Sequence, residues 1–335
     1  MPEGVSITGG GLAACCCAAL LSKAGVRVSV VHPTRKTSPV LMLSEQTQLL
    51  LRDVFGIDNL LEGATRINRR IVAWGQSTEP AVLPHSGLIM RESTLLGRLW
   101  PMVRVQTGKC ESAGWNVGSV KDALSESSRY EFGSRLANVV SVELNETSSR
   151  TSCWIESLRN GWLFLIPSGG NSGSLIAVGE SPKSLLEQSA LVAPQIAAAG
   201  DLTGSFPAYP SIITPLCRPG WIACGTAAIG FDPIAGEGAG NAIREGILAS
   251  ALIRASFGGE CENDLLAHYS SRILSGFLRH LQVCRQFYEA VSGPWWQAEL
   301  DMLIQGISWT QKQLASTPAR RFALRSFELE RLGVA

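Results

Sequence analysis

The feature that most constrains this chain lies at its start. Val5-Ser6-Ile7-Thr8 reads as a buried strand, Gly9-Gly10-Gly11 as a tight turn, and Leu12 to Ala24 as a helix of small residues. Gly25 stops that helix, and Val26 to Val31 reads as a second strand. The unit is a βαβ opening of the form G-x-G-x-x-A, with Gly9, Gly11 and Ala14 at the three fingerprint positions. Each position has a steric reason: Gly9 permits the turn, Gly11 lets backbone approach a pyrophosphate, and Ala14 keeps the helix close to the sheet. The helix N-terminus then presents unpaired N–H groups and the positive end of its dipole to the phosphates. A glycine fingerprint alone is weak evidence against a bland glycine-rich turn. Set between two strands and ahead of a helix, it predicts dinucleotide binding.

One customary element is missing. The fingerprint expects an acidic residue roughly 20 positions on, at the end of the second strand, to bond the adenosine ribose. This chain has His32 there, followed by Pro33, Thr34 and Arg35. A histidine bonds a ribose hydroxyl with less acceptor strength than a carboxylate, and Arg35 is placed to face an adenylate phosphate or solvent.

A second glycine-rich turn lies about two hundred residues later. Trp221 to Cys224 reads as a buried strand that enters Gly225-Thr226-Ala227-Ala228. Phe231-Asp232-Pro233-Ile234-Ala235-Gly236-Glu237-Gly238-Ala239-Gly240 then leads into a helix predicted over Asn241 to Ala255. Proline ahead of two spaced glycines makes a turn whose N–H groups converge, with a helix N-terminus behind them. Such a turn stabilises an anion, for instance a reduced flavin ring.

These segments resemble, in order, the motifs of the flavin-dependent monooxygenases and tryptophan halogenases. Gly225 to Gly238 is similar to their second FAD motif, G-D-A-A followed by D-P-x-x-G-x-G. Gly87-Leu88-Ile89-Met90-Arg91 resembles the segment whose arginine faces the flavin, and Tyr130 to Arg135 the D-A-T-G-R strand end. Gly161-Trp162-Leu163-Phe164-Leu165-Ile166-Pro167 resembles the halogenase G-W-x-W-x-I-P strand. Phe287-Tyr288 with Trp295-Trp296 resembles the C-terminal helical segment. The resemblance implies an α/β fold of aromatic-hydroxylase type, in which a Rossmann-like FAD-binding domain is interleaved with a smaller β-sheet substrate domain and a helical C-terminus. The expected division is 1–62, 91–141 and 219–258 for FAD, 63–90 and 142–218 for substrate, and 259–335 for the helical segment. FAD contacts are carried onto Gly9, Gly11, Ala14, His32, Arg35, Arg91, Gly225, Thr226, Asp232, Gly236, Gly238 and Ala239.

Departures narrow the subtype. The stretch Ala64 to Ile71 lacks the halogenase lysine, the loop has Ala235-Gly236 where those enzymes carry Glu-Ser, and Phe164 replaces their second tryptophan. Halogenation is therefore not expected. Thr226 replaces the aspartate that bonds the ribityl chain, so with His32 two carboxylate contacts to FAD are missing. Hydrogen bonds to charged groups are worth about 1.5–3 kcal/mol each, and a weakly held flavin is expected. The loop and Ala242-Ile243-Arg244-Glu245 resemble most the flavoproteins that mature tryptophylquinone cofactors, such as the lysine ε-oxidase and glycine oxidase maturation factors. That resemblance implies hydroxylation of a protein-bound tryptophan in a quinoprotein amine oxidase or dehydrogenase precursor. A small-molecule hydroxylase or reductase, and a flavin-poor binding protein, stay open as alternatives. Electrons would come from NAD(P)H or a separate flavin reductase, since no second nucleotide fingerprint is visible.

Among candidate chemical residues, His85 titrates near neutrality and suits proton transfer with an aromatic substrate. Arg91 is placed to face the flavin, and Pro233 to cover its ring. Trp162 and Phe164 alternate on one strand face, as pocket wall or as core. Of the adjacent Trp295 and Trp296, one is expected in the core and one at the surface, where it would mark a partner. Helix is predicted over Leu41 to Leu61, strands around Ile71–Trp74, Leu83–Ile89 and Val103–Gln106, and a mainly helical final seventy residues.

Composition excludes several classes. A net charge of +1 lacks the basic footprint of a nucleic-acid binder. Nine cysteines without zinc-type spacing point to no metal and to a reduced, cytoplasmic setting. The apolar run Leu12 to Leu21 is far shorter than the roughly 20 residues that cross a bilayer, and no membrane association is expected.

Overall fold

The computed structural model describes residues 4–34, 36–76, 79–108, 113–119, 127–318 and 321–333; Arg35, expected at the adenosine end, lies outside them. The opening motif folds as a strand (Gly4–Thr8), helix α1 (Leu12–Lys23) and a second strand (Arg27–Val31), the strands parallel and paired from Gly4↔Arg27 to Thr8↔Val31. Six further helices follow among the described residues: α2 (Glu45–Phe55), α3 (Glu92–Leu99), α4 (Pro182–Gln188), α5 (Gly238–Phe257), α6 (Glu262–Glu289) and α7 (Pro294–Ser316).

Around the first two strands a six-stranded sheet forms in the order Cys217–Arg218, Trp221–Ala223, Ala113–Gly118, Gly4–Thr8, Arg27–Val31, Gln106–Thr107. All its pairings are parallel except that of Cys217–Arg218 with Trp221–Ala223. A parallel sheet is stable only when covered, and α1 supplies one cover. Every residue from Leu12 to Leu21 is buried, because α1 lies between this sheet and α5. Burial on all sides explains why the run shows no polar face. Gly246 of α5 makes the contact possible, since a Cβ there would lie 2.4 Å from the carbonyl oxygen of Ala13.

The second sheet has eight strands, in the order Ile196–Pro207, Leu136–Leu144, Ser172–Gly179, Gly161–Gly169, Ser152–Leu158, Thr65–Ala73, Ala81–Met90, Leu41–Ser44. It is antiparallel except where Thr65–Ala73 pairs with Ser152–Leu158. Aromatic rings from the end of α6 and the start of α7 pack on strand residues here: Trp74 lies 5.7 Å from Phe287 and 5.5 Å from Trp296, and Trp162 donates its indole N–H to Tyr288.

Three expectations change. Leu41–Ser44 is a strand and not the start of a helix: it pairs with Ala81–Met90 from Leu41↔Met90 to Ser44↔Gly87. A short apolar run carries no periodicity that separates the two states, and the helix begins only at Glu45, capped by the Ser44 hydroxyl. Leu136–Leu144 belongs wholly to the eight-stranded sheet, so the chain enters that sheet before residue 142 and already touches it at residue 41. The strand expected at Val103–Gln106 is confined to Gln106–Thr107, because Trp100–Met102 forms a turn of 3-10 helix ahead of it. The final segment is mainly helical but ends in a hairpin, Phe322–Arg325 with Glu328–Arg331.

Candidate functional site

The two glycine turns, far apart in sequence, meet through α1 and α5. Gly9 has φ +146°, its N–H donates to Val31 O at 2.9 Å, and the Ser119 hydroxyl occupies the place a Cβ would take. Glycine is therefore required by the fold as well as by any ligand. Gly11 is the N-cap of α1 and offers no side-chain cap. Beside that first turn stands the short 3-10 turn Gly225–Ala227: a Cβ on Gly225 would lie 3.0 Å from the Ala13 methyl, and Gly225 has φ +62°. Thr226, at the tip of this turn, is exposed.

The turn is held from beneath by Glu245 of α5, which accepts the Gly225 N–H at 2.6 Å. Burial pushes this carboxyl up to about 8, partly offset by that hydrogen bond, so it is protonated at neutral pH. In the sequence Glu245 stands out only within the motif of the resemblance, and its spacing gives no sign of a buried acid.

At the other end of the path, Asp232 caps the turn Pro233–Ala235 by accepting the Ile234 N–H at 2.9 Å, and Gly236 follows in the left-handed region at φ +65°. α5 then starts at Gly238 with Ala239 buried behind it. Like α1, α5 has no side-chain cap and no acidic residue in its first turn, whereas α2, α3 and α6 each begin with an acid. α7 shares this lack but begins with Pro294, away from the glycine turns; the N-termini of α1 and α5 adjoin the two turns and are the places where a phosphate or an anionic ring would be stabilised. Gly246 lies eight residues into α5, against the first turn of α1. At 1.5 Å per residue this puts the two N-termini roughly 12 Å apart, within reach of one extended dinucleotide. A Cβ on Gly238 would meet nothing within 4 Å, so an open cradle lies over this turn. The residues present fit FAD.

The adenosine end is built differently from expectation. His32 is exposed, and its ring meets that of Trp100 edge-on at 4.5 Å. Trp100 donates its indole N–H to Gly10 O at 3.1 Å, and the His32 ring is within 3.0 Å of where a Gly10 Cβ would sit. An aromatic pair thus flanks the glycine turn where a carboxylate is customary. Trp100 had no sequence signal, lying just past α3. Arg91 is the exposed N-cap residue of α3. The neighbouring Glu92 accepts the Ser38 N–H at 2.7 Å, which ties the start of α3 to the loop that carries His32.

Asp232 does not offer its carboxylate to a cofactor. It is 1% exposed and its oxygens are taken by Arg135 (Nε 3.1 Å, Nη2 2.7 Å), the Tyr288 hydroxyl (2.9 Å) and Ile234 N–H. Arg135 also donates to Glu299, which accepts the Ser134 N–H and hydroxyl. Burial opposes the charge of Arg135, but the facing Tyr288, Asp232 and Glu299 hold it protonated above its ordinary value. His280 accepts the Asp232 N–H at 2.9 Å and is pushed down to about 4 by burial, with Arg135 adding to the effect and Asp232 opposing it. This network behind the loop fixes Pro233 and Gly236; Arg135, Asp232 and Tyr288 lie in motifs of the resemblance, whereas Glu299 and His280 carry no sequence signal.

Across from the loop stand Arg70 and His85, on adjacent strands. A Cβ on Gly236 would approach Arg70 Nη2 at 3.8 Å. Arg70 Nε and His85 Nε2 are both buried without a hydrogen-bond partner, an arrangement that calls for explanation. Burial and the nearby Arg70 charge hold His85 below its ordinary value, so its imidazole is neutral at pH 7. A cavity of about 1030 Å³ opens beside Arg70, bounded by Phe231, Ile234, Ala235 and Phe287. Trp162 and Phe164 do not line it. They are 0% and 2% exposed, on a central strand covered by α6 and α7, and serve the core rather than a pocket wall. Trp296 is likewise buried, while Trp295 is partly exposed.

No family model matches the sequence, and no curated protein matches it. Solved structures do match in fold. CmlS, a flavin-dependent halogenase, aligns with a TM-score of 0.75 at 14% identity over 94% of this chain and 71% of its own. The myxobacterial chondrochloren halogenase CndH, a variant of FAD-dependent halogenases, aligns at 0.72 with 16% identity, 94% of this chain and 91% of its own. The peptidyl tryptophan dihydroxylase QhpG, essential for tryptophylquinone cofactor biogenesis, aligns at 0.71 with 16% identity, 99% of this chain and 86% of its own. The chain has the fold of the flavin-dependent halogenases and hydroxylases. Among the described residues no helix is long and apolar enough to cross a membrane.

Proposed function

We propose that this protein is an FAD-dependent monooxygenase that hydroxylates an aromatic ring, its substrate a tryptophan held in a partner protein, a quinoprotein amine oxidase or dehydrogenase precursor. The observation that carries the reading is the pair of uncapped helix N-termini, α1 and α5, joined through Gly225 and Gly246. The resemblance of fold to a peptidyl tryptophan dihydroxylase supports the substrate class.

Bound FAD, reduced by NAD(P)H or by a separate reductase, supplies the activation of O₂, with one oxygen atom going to the ring and the other to water. The N–H groups of α1's first turn would hold the pyrophosphate, and Gly236 and Gly238 with the α5 N-terminus would face the anionic part of the ring system. The Arg135–Asp232–Tyr288 network fixes the turn that carries Pro233, which would border that ring system. His85 Nε2, neutral and unpartnered, accepts the proton that the aromatic ring releases on hydroxylation. Arg70 disfavours the imidazolium and so keeps that acceptor available. Halogenation is not part of the proposal: the strand Thr65–Ala73 presents Arg66, Arg69 and Arg70 but no lysine.

The test is reconstitution with FAD followed by NADH or dithionite, with oxygen uptake measured in the presence and absence of a tryptophan-containing peptide. Substrate-dependent uptake with mass gain of 16 or 32 on the peptide supports the reading. Reduced FAD with the protein that gives no mass gain on the peptide contradicts it, and FAD binding only at millimolar concentration favours a non-catalytic binding protein, the reading that the absence of carboxylates at His32 and Thr226 favours.

A further inference from the structure

The cavity beside Arg70 does not end at the flavin loop. It continues as a groove between α2, α5 and α6 to the C-terminal hairpin, where Leu324, Ser326 and Phe327 form its far wall. Its charged lining sets four arginines against three acidic residues. Arg70 comes from the strand Thr65–Ala73, Arg244 from α5, and Arg272 and Arg279 from α6. Against them stand Asp53, Glu237 and Glu245. Glu245 is protonated at neutral pH and engaged with Gly225, and Asp53 lies 3.8 Å from Arg52. Among the described residues Arg244 donates to the Asn241 and Gln46 side-chain oxygens. Among the described residues neither Arg70, Arg244 nor Arg279 forms an ion pair with a carboxylate.

We propose that this groove binds an extended, acidic segment of the polypeptide that carries the substrate tryptophan, guiding the ring to the end lined by Phe231 and Phe287. The proposal rests on the monooxygenase reading for the chemistry at that end, but not for the binding of the segment. Charge complementarity selects an acidic partner, and the spacing selects an extended one. Arg272 and Arg279 are both exposed and seven residues apart on α6, so they lie two turns apart on one face, at roughly 10 Å. A chain extended as polyproline II returns to one face every three residues and rises roughly 3.1 Å per residue, so carboxylates at every third position span about the same distance. A nucleotide polyphosphate would need cations gathered around one point, whereas these come from a strand and two helices along the length of the groove. Apolar residues mark both ends, which suits a chain with an aromatic side chain at one end and a second anchor near Phe327. The hairpin holds Ser326 and Phe327 at φ +46° and +66°. Non-glycine residues rarely take this conformation, and here it sets the Phe327 side chain on the groove wall.

The experiment uses fluorescein-labelled peptides of about twelve residues, each with one tryptophan followed by Glu-x-x-Glu-x-x-Glu, or by the same sequence with glutamine or lysine for glutamate. Anisotropy is followed with the full chain, with and without FAD. The acidic peptide is expected to bind on the order of tenfold more tightly than the glutamine peptide at low ionic strength, to weaken as salt rises, and to exclude the lysine peptide. The double change Arg272→Glu and Arg279→Glu should remove that preference while FAD titration stays unchanged; Arg244→Gln, milder for the fold, should reduce it about threefold. Equal binding of acidic and neutral peptides, or indifference to these substitutions, overturns the proposal. So does NADPH binding in the groove at micromolar concentration with loss of affinity in the same variants. Peptide binding without mass gain on the peptide under reduced FAD would leave the groove intact and contradict only the monooxygenase reading. Mass gain without peptide preference would do the reverse.

Discussion

Replacing Arg135 by methionine tests the network that fixes the Pro233–Gly236 loop. The guanidinium is 2% exposed and donates to two buried carboxylates, Asp232 through Nε and Nη2 and Glu299 through Nη1. Methionine fills the aliphatic length of the side chain but leaves both acids without their cation. Breaking a buried ion pair by removing one partner costs about 3–5 kcal/mol, because the remaining charge stays desolvated. Here the acids keep other donors, Tyr288 and Ile234 N–H for Asp232 and Ser134 for Glu299, so the lower end applies, about 3 kcal/mol. With an unfolding entropy near 2.1 cal/mol/K per residue, a chain of 335 residues would lose roughly 4 °C in Tm. Circular dichroism melts and urea titrations at neutral pH measure both quantities. The triple change Arg135→Met, Asp232→Asn, Glu299→Gln removes the stranded charges and should recover most of the loss, while FAD affinity stays reduced because the loop is less firmly held. A loss below about 1 kcal/mol in the single variant, the range of an exposed ion pair, would refute the reasoning. So would a triple variant no more stable than the single one.

Three further outcomes follow from the site. Gly238→Ala meets open space in the protein, so melting temperature should hold or rise slightly while FAD affinity falls about tenfold; a variant that binds FAD normally would show that no flavin occupies the cradle. His280, pushed down to about 4 from 6.5, contributes stability above pH 6.5 that is lost as pH falls toward 4, whereas Glu245, pushed up to about 8 from 4.5, contributes stability that is lost as pH rises from 4.5 through 8. Their slopes, each about 1.4 kcal/mol per pH unit, oppose one another between pH 4.5 and 6.5. Above that, stability should fall and Glu245→Gln should flatten the fall, as read from urea midpoints; an unchanged slope in the variant counts against a buried neutral carboxyl. His85→Gln should lower kcat for hydroxylation about a hundredfold and abolish an activity limb that rises with pH through a value below 6.5, given the direction in which burial and Arg70 move the imidazole. A kcat within twofold of the parent would remove His85 from the reaction.

What the sequence made legible was local and steric. Gly9 and Gly236 announce turns because their backbone angles exclude side chains, and the strand–turn–helix order around Leu12–Lys23 follows from apolar runs punctuated by glycine. The apolar run Leu12–Leu21 is readable as a buried helix because its length and lack of charges leave few alternatives. Leu41–Ser44 was not readable: three apolar residues suit a strand edge or a helix start equally, and only pairing with Ala81–Met90 decides. The candidate site was half legible. Its glycines and Pro233 carry a pattern, but Asp232 sits in a motif position while its carboxylate is turned to Arg135 and Tyr288. The orientation of a side chain relative to partners a hundred residues away leaves no periodic trace. Trp100 beside His32, Glu245 beneath Gly225 and Arg70 beside His85 went unseen for the same reason: each contact is made between elements brought together only by tertiary packing.

Everything in the account turns on one molecule lying against both glycine turns. Isothermal titration of FAD into the purified chain measures this most directly, with ADP and riboflavin 5′-phosphate as competitors. One FAD is expected per chain, with a dissociation constant on the order of micromolar, each fragment binding more weakly and each displaced by FAD. Saturation only at millimolar FAD, or a fragment that stays bound while FAD is bound, would show that the α1 and α5 N-termini do not share a ligand.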